Sequence, residues 1–296
     1  MKILVLGKNG YVSKCFQNYM KNYKGYIVEA ISVRDDKWKN ISFKEYDVIF
    51  NTIGLAHNDA RKGTENEFYR LNTELPYELA CKAKKEGVKQ FIHMSSMIVY
   101  GNISKIGKVN LITEKTIPQP VSIYGKSKLK GEEKLQTLKD KNFSIVLIRS
   151  PLIYGVKAVD NISKLIKFSQ KIFIFPNIKN NLSMIYDENL CELIRLIIEN
   201  NSSGTFCPQM ERSICTSDFV KDIGFEVGHK IILTKIFNPL LNLLSNKFLF
   251  IQKMFGSQIY DLPMSNYFDG KYRLVTYKRS IELIIKKQTL KNREEC

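Results

Sequence analysis

The chain has 296 residues, 44% apolar and 25% charged, a globular composition that excludes a disordered protein. Its net charge of +17 invites an anionic partner, yet 37 of its 46 basic residues are lysines spread along the whole chain, with no aromatic-interleaved basic block. Nucleic acid is therefore not an expected partner, and contact with a membrane surface is expected to be loose at most. Six cysteines without C-x-x-C spacing and three scattered histidines predict reduced thiols, a cytoplasmic setting and no metal site.

The opening "MKILVLGKNG" has too short an apolar run for a secretory signal, so none is expected. "KILVLG" reads as a buried parallel strand, and "GKNGYVSKCFQNYMKN" as a tight turn opening into an amphipathic helix. Further strands are predicted at 26–33, 47–54, "KQFIHMSS" and 144–150, with a helix over about 65–86 closed by Gly87 and another around Tyr124. This alternation predicts an α/β protein with a doubly wound parallel sheet.

After "RSPLIYG" the rhythm degrades. The expected division is a dinucleotide-binding domain of 1–155 and 181–203, with a smaller substrate-binding lobe of 156–180 and 204–296. Residues 231–255 are apolar but interrupted by Lys235, Asn238, Pro239, Asn242, Lys247 and Lys253, so they do not predict a membrane span. Phe237, Leu240, Leu244, Phe248, Ile251 and Phe255 recur at helical spacing and are expected to be core of the lobe, with a membrane-facing helix as the alternative.

Gly7-Lys-Asn-Gly10-Tyr-Val-Ser13 lies between strand and helix, where glycines let a pyrophosphate approach backbone N–H groups at the positive helix end. An ordinary strand-to-helix turn is the alternative. At the tip of the second strand, Ile31-Ser32-Val33-Arg34 lacks an acid for a ribose 2′-hydroxyl, and Ser32 with Arg34 suits a 2′-phosphate instead. NADPH is therefore expected, although a small register change would bring Asp35 or Asp36 to that place and favour NADH. Tyr124 and Lys128 stand one helical turn apart, where an ammonium can lower the phenolic pKa. They read either as a proton-donating pair or as two polar residues sharing a helix face.

"GKNGYVS", "DVIFNTIG", the asparagine of "YRLN", "SSMIVYG", "YGKSK" and "RSPLIYG" occur in the order and spacing of the extended short-chain dehydrogenase/reductases, the NAD-dependent epimerase/dehydratase family. The resemblance covers about residues 1–200 and implies a Rossmann fold. Within that family the chain looks most like bacterial capsule and O-antigen enzymes that reduce UDP-4-keto-6-deoxy-N-acetylhexosamines. The resemblance implies catalysis by Ser96, Tyr124 and Lys128. It implies cofactor contacts at Gly7, Asn9, Gly10, Tyr11 and Val12, at Ser32 and Arg34, at Thr52, Ile53 and Gly54, and at Tyr124, Lys128 and Pro151. Ser96 and Asn161 would touch the substrate, and Asn72 would be a structural neighbour of the lysine. Ser95, Tyr100 and Gly101 read as scaffold.

Carbonyl reduction makes an alkoxide that needs a proton and hydrogen bonds as it forms, which such a trio supplies. One departure stands out: Leu182 occupies the place of the family's usual diphosphate-binding arginine, with Lys179 as a candidate replacement. The expected activity is NADPH-dependent 4-keto reduction of a UDP-sugar. The alternative is a UDP-N-acetylhexosamine 4-epimerase with tightly bound NAD. A 4,6-dehydratase is disfavoured because "SMIVYG" places no carboxylate beside Ser96, and a cofactor-sensing regulator has no need of a proton donor. A homodimer is left open.

Overall fold

The computed structural model describes residues 1–55, 64–158, 160–245 and 247–294. β1 (Lys2–Leu6) leads into α1 (Tyr11–Met20), followed by β2 (Ile27–Ile31) and β3 (Val48–Asn51). α2 (Glu65–Tyr69) and α3 (Leu75–Lys85) are joined by a π-helical turn over Arg70–Glu74. β4 (Gln90–Ser96), the short β5 (Asn110–Ile112), α4 (Ile123–Gln136) and β6 (Ser144–Ser150) follow. Next come β7 (Leu152–Tyr154), α5 (Asp160–Ser169), β8 (Ile174–Pro176), β9 (Met184–Tyr186), α6 (Asp187–Glu199) and β10 (Gly204–Phe206). The chain closes with α7 (Thr216–Glu226), β11 (Ile232–Thr234), α8 (Asn238–Ser245), α9 (Leu249–Phe255), β12 (Gln258–Tyr260) and α10 (Tyr277–Glu294).

Six parallel strands form the central sheet in the order β10-β6-β4-β3-β1-β2. The chain runs outward from β1 to β2 and then returns to β3 on the other side of β1, so the strand order reverses there. Ligands of open α/β sheets bind at such a reversal, beyond the carboxyl ends of the strands. Successive residues of each strand feed opposite cores. Ile3, Val5, Val48, Phe50, Ile92 and Ile148 pack with Phe16 of α1 and Leu190, Ile194 and Ile197 of α6. Leu4, Leu6, Ile49, Phe91, Ile145 and Leu147 pack with Leu75, Leu79, Ala83 and Leu135 from α3 and α4. Each such buried aliphatic side chain contributes about 2 kcal/mol. The predicted doubly wound sheet is therefore the observed one.

β10 was not anticipated. Gly204–Phe206 pairs with Val146–Ile148 of β6, so the chain is still in the central sheet after residue 203. We accordingly propose placing the lobe boundary after Phe206 rather than before Gly204.

The continuous helix expected through 237–255 is two helices. Phe248 is extended (φ −115°, ψ 103°) and separates α8 from α9. The break distributes one sequence stripe over different faces. Phe255 is buried, and Leu241, Ile251 and Met254 pack beside it on Phe175, Ile178 and Ile231, whereas Phe237, Leu240 and Phe248 are exposed. The stripe is thus core only in part.

Candidate active site

The carboxyl ends of β1, β3, β4 and β6 open onto a cavity of about 530 Å³. Gly10, Tyr11, Val12, Thr52, Gly54, Ser96, Tyr124, Lys128 and Pro151 all line it. Residues scattered over 140 positions of sequence thus converge because parallel strands deliver their ends to one edge.

The glycine-rich turn is pinned at both ends. Gly7 and Lys8 donate their N–H groups to the Ile31 carbonyl at 3.0 Å, and Gly10 donates to the Gly7 carbonyl at 3.0 Å. Gly7 has φ +103°, and a Cβ there would come within 2.7 Å of Thr52 Oγ1. Thr52 Oγ1 in turn donates to the Leu6 carbonyl at 2.8 Å. Gly10 precedes α1 without a side-chain cap, so the first N–H groups of the helix remain available to an anion. Ser13 is fully buried and its hydroxyl accepts from Gln17 at 2.9 Å. A dinucleotide pyrophosphate fits this turn and uncapped helix start, whose course past Thr52 only glycine at position 7 allows.

At the tip of β2, Ser32 and Arg34 are exposed, and Ser32 Oγ accepts the Arg34 N–H at 3.4 Å. Neither lines the cavity itself; the Ile31 bonds to the glycine turn place them next to it. Asp35 is turned away into a cap, accepting the Lys37 N–H at 3.2 Å, and Asp36 pairs with Lys39 at 2.9 Å. Asn9 and Ile53 also sit outside the cavity lining, Asn9 in the glycine turn and Ile53 with its N–H on Asn51 Oδ1 at 3.1 Å.

Ser122 caps α4 by accepting the Gly125 N–H at 3.1 Å, and this start aims Tyr124 and Lys128 at the sheet edge. Close approach of α4 to the π-helical turn requires Gly131, since a Cβ there would collide with the Asn72 carbonyl. Asn72 is fully buried, accepts the Leu55 N–H at 2.9 Å and donates to Ser127 Oγ at 3.0 Å. Lys128 is buried, its ammonium donating to the Met94 carbonyl at 3.0 Å and the Ile53 carbonyl at 3.5 Å. Its tip lies against Gly54, where a Cβ would come within 2.6 Å of Nζ.

Burial lowers the Lys128 pKa to about 8, partly offset by the Glu132 carboxylate. Tyr124 departs from expectation. Its pKa is raised by burial, opposed by a hydrogen bond with Ser96, and Lys128 is not among the causes. Desolvation of the phenolate outweighs the Ser96 bond, and the Lys128 ammonium donates to the Met94 and Ile53 carbonyls.

Beneath the trio lies a buried ion pair. Arg149 of β6 grips Glu132 of α4 through Nε and Nη2, the latter at 2.7 Å. Ser95 donates to the same carboxylate, and Arg149 Nη1 donates to Tyr100 Oη at 2.7 Å. Ser95 and Tyr100 are thus tied to the frame, and Ser95 lines the cavity beside Ser96. Gly101 turns the chain at φ +101°. The Glu132–Arg149 pair was not anticipated; an arginine in the apolar run "SIVLIRS" was its only sequence signal.

Leu182 lines the cavity, nearly buried, with its backbone paired to Ile214. Lys179 is exposed and does not line it. Besides Lys128, Lys253 of α9 lines it among the described residues, half-buried, with a pKa lowered by desolvation. Sequence reading missed it because α9 contributes through lobe packing alone. Asn161 falls in the first turn of α5, whose Ile162 and Leu165 reach the cavity; its own side chain lies outside the described part.

A doubly wound sheet with a glycine turn and a Ser-Tyr-Lys constellation at its reversal defines a nucleotide-dependent dehydrogenase-like class of protein. Residues 3–206 match the NAD dependent epimerase/dehydratase family, and the chain belongs to it. It is 25% identical over 232 residues to UDP-glucose 4-epimerase of Vibrio cholerae, covering 76% of this chain and 70% of that protein. It is 26% identical over 220 residues to N-acetyl-alpha-D-glucosaminyl-diphospho-ditrans,octacis-undecaprenol 4-epimerase of Escherichia coli O157:H7, covering 68% of this chain and 64% of that protein. The match thus spans about two thirds of each relative. The fold is similar to that of a dTDP-4-dehydrorhamnose reductase from Clostridium acetobutylicum, with TM-score 0.75 and 21% identity over 98% of this chain and all of that one.

Proposed function

We propose that the protein is an NADPH-dependent reductase of the 4-keto group of a UDP-4-keto-6-deoxy-N-acetylhexosamine, serving surface-polysaccharide (capsule or O-antigen) biosynthesis. The observation that carries this reading is the convergence of Ser96, Tyr124 and Lys128 on one cavity next to a β2 tip without an acid. Gly7, Gly10 and the free N-terminus of α1 would hold the pyrophosphate, Ser32 and Arg34 the 2′-phosphate, and Thr52, Gly54 and Pro151 the remaining ribose and nicotinamide. The bound cofactor supplies the hydride. The chain supplies the rest: Tyr124 Oη delivers a proton to the carbonyl oxygen as charge develops there, and the Ser96 hydroxyl hydrogen-bonds the same oxygen. Lys128, fixed by the Met94 carbonyl, would hold the nicotinamide ribose, and the Ser96 bond is what favours the Tyr124 phenolate. Lys253 is the cation available to the sugar diphosphate.

A second reading, a UDP-N-acetylhexosamine 4-epimerase retaining NAD, is favoured by the names of the two curated relatives. An epimerase returns its hydride to the same sugar and gains from a cofactor that never leaves. A reductase exchanges its cofactor every turnover. The distinguishing experiment supplies purified protein with the 4-keto sugar nucleotide and NADPH, following loss of reduced-nicotinamide absorbance and the product. One NADPH consumed per sugar supports the reductase; interconversion of UDP-N-acetylglucosamine with its C4 epimer, without added cofactor, replaces it by the epimerase.

A further inference from the structure

The lobe presents an exposed apolar face. On α8, Leu241 points inward to Phe175 and Ile178, while Leu240 and Leu243, with Ile236 just before the helix, point outward at 57%, 65% and 81% exposure. Leu240 and Leu243 lie opposite Leu241 on α8, with Ile236 in the turn before it, so α8 is apolar on both sides. Beside it, Ile232 of β11 pairs in register with Ile174 of β8, and both are exposed, as is Phe173. An exposed patch of this kind marks an interaction surface.

Its charge identifies the partner. Segments 161–186 and 227–260, which build this face and its surroundings, contain eight lysines and no arginine, aspartate or glutamate. Lys164, Lys167, Lys171, Lys230, Lys235 and Lys247 are exposed, and none forms an ion pair among the described residues. A second copy of the chain seated here about a two-fold axis would oppose these lysines to themselves. An anionic bilayer instead accepts the apolar side chains at its interface and attracts each lysine. Among the described residues no helix is long and apolar enough to cross a membrane, so the contact is peripheral. Leu165 of α5 and Phe250, Lys253 and Met254 of α9 line the catalytic cavity, and Leu165 and Met254 pack in the same cluster as Leu241 of α8, so this wall of the cavity adjoins the face.

We propose that the face formed by β8, β11 and α8 docks the protein on an anionic lipid surface, with the α5–α9 wall of the cavity behind it. This goes beyond the proposed reaction, and its test reads no turnover. Full-length protein is sedimented with phosphatidylcholine vesicles with and without about 30 mol % phosphatidylglycerol. Expected is at least about tenfold more protein bound to the anionic vesicles, falling as salt screens the lysines. A Leu240→Gln/Leu243→Gln variant is expected to lose about tenfold in binding with an unchanged melting temperature, because both positions are exposed. Lys235→Glu/Lys247→Glu, an independent charge reversal, is expected to lose a similar factor. Equal binding to neutral and anionic vesicles, absence of binding, or a dimer in sedimentation velocity that Leu240→Gln/Leu243→Gln dissolves would each overturn the proposal.

Discussion

Tyr11, in the glycine-rich turn, donates its phenolic proton to Asp187 Oδ2 at 2.7 Å across 176 residues of sequence. The bond ties the start of α1 to the start of α6, and Gly155 must be glycine because a Cβ there would collide with the Asp187 carboxylate. The phosphate turn is thereby held by the second half of the sheet.

Burial raises the Asp187 carboxyl pKa above its ordinary value, with the Tyr11 bond opposing. A raised native pKa means the folded chain holds a proton the unfolded chain has lost, so stability falls as pH rises through that interval. Asp187→Asn, which keeps an acceptor for Tyr11, is expected to flatten this dependence and to be neutral or stabilising by about 1 kcal/mol at pH 7. Asp187→Ala strands the Tyr11 hydroxyl and is expected to cost about 2 kcal/mol. Denaturant unfolding of both variants from pH 4 to 8 checks this; Asn as costly as Ala would refute it.

Lys128 has its pKa lowered to about 8, so between about 8 and its ordinary value of 10.5 the unfolded chain binds the proton more readily. Stability contributed by this residue therefore rises with pH across that window. The unfolding free energy of wild type minus that of Lys128→Met is expected to grow by up to about 3 kcal/mol there. A difference independent of pH would show that the ammonium is not desolvated.

Tyr124→Phe removes the proton donor without changing the ring that touches Phe68 at 6.3 Å between centroids. Turnover is expected to fall by roughly two to four orders of magnitude with cofactor affinity retained. Near-normal turnover, measured beside cofactor binding by fluorescence, would remove Tyr124 as the acid.

Arg34 is exposed next to the glycine turn, and Asp35 and Asp36 are engaged elsewhere. Arg34→Ala is expected to weaken NADPH by about tenfold or more and NADH little, because only the former offers a 2′-phosphate. Equal losses in calorimetric titrations would sink this assignment.

Lys253 reaches the cavity from the lobe. Lys253→Ala is expected to raise KM for the sugar nucleotide about tenfold while leaving cofactor affinity and kcat close to wild type, with Lys253→Arg restoring most of the loss. The comparison Lys179→Ala, at an exposed position off the cavity, is expected to do nothing; a larger effect at Lys179 would reverse the two roles.

The sequence by itself determined five of the six central strands, the glycine turn and the Tyr124–Lys128 spacing, because each rests on short-range physics, whereas Ser96 was implied by the family resemblance and β10 was not read. Apolar runs of four to seven residues make buried parallel strands, glycine permits φ +103° at Gly7, and i, i+4 spacing aligns a tyrosine with a lysine. The tertiary structure alone decided what depends on contacts between distant segments. The Tyr11–Asp187 bond and the Glu132–Arg149 pair join elements far apart in sequence. The direction of the Tyr124 pKa follows from the burial that packing imposes on its phenol, which outweighs the Ser96 bond. The stripe through 237–255 was legible as periodicity, but its faces were set by the extended backbone at Phe248, which turns α9 toward the cavity and leaves the outer side of α8 exposed. Periodicity reports which residues share a side of a helix; what that side meets is a property of the packed chain.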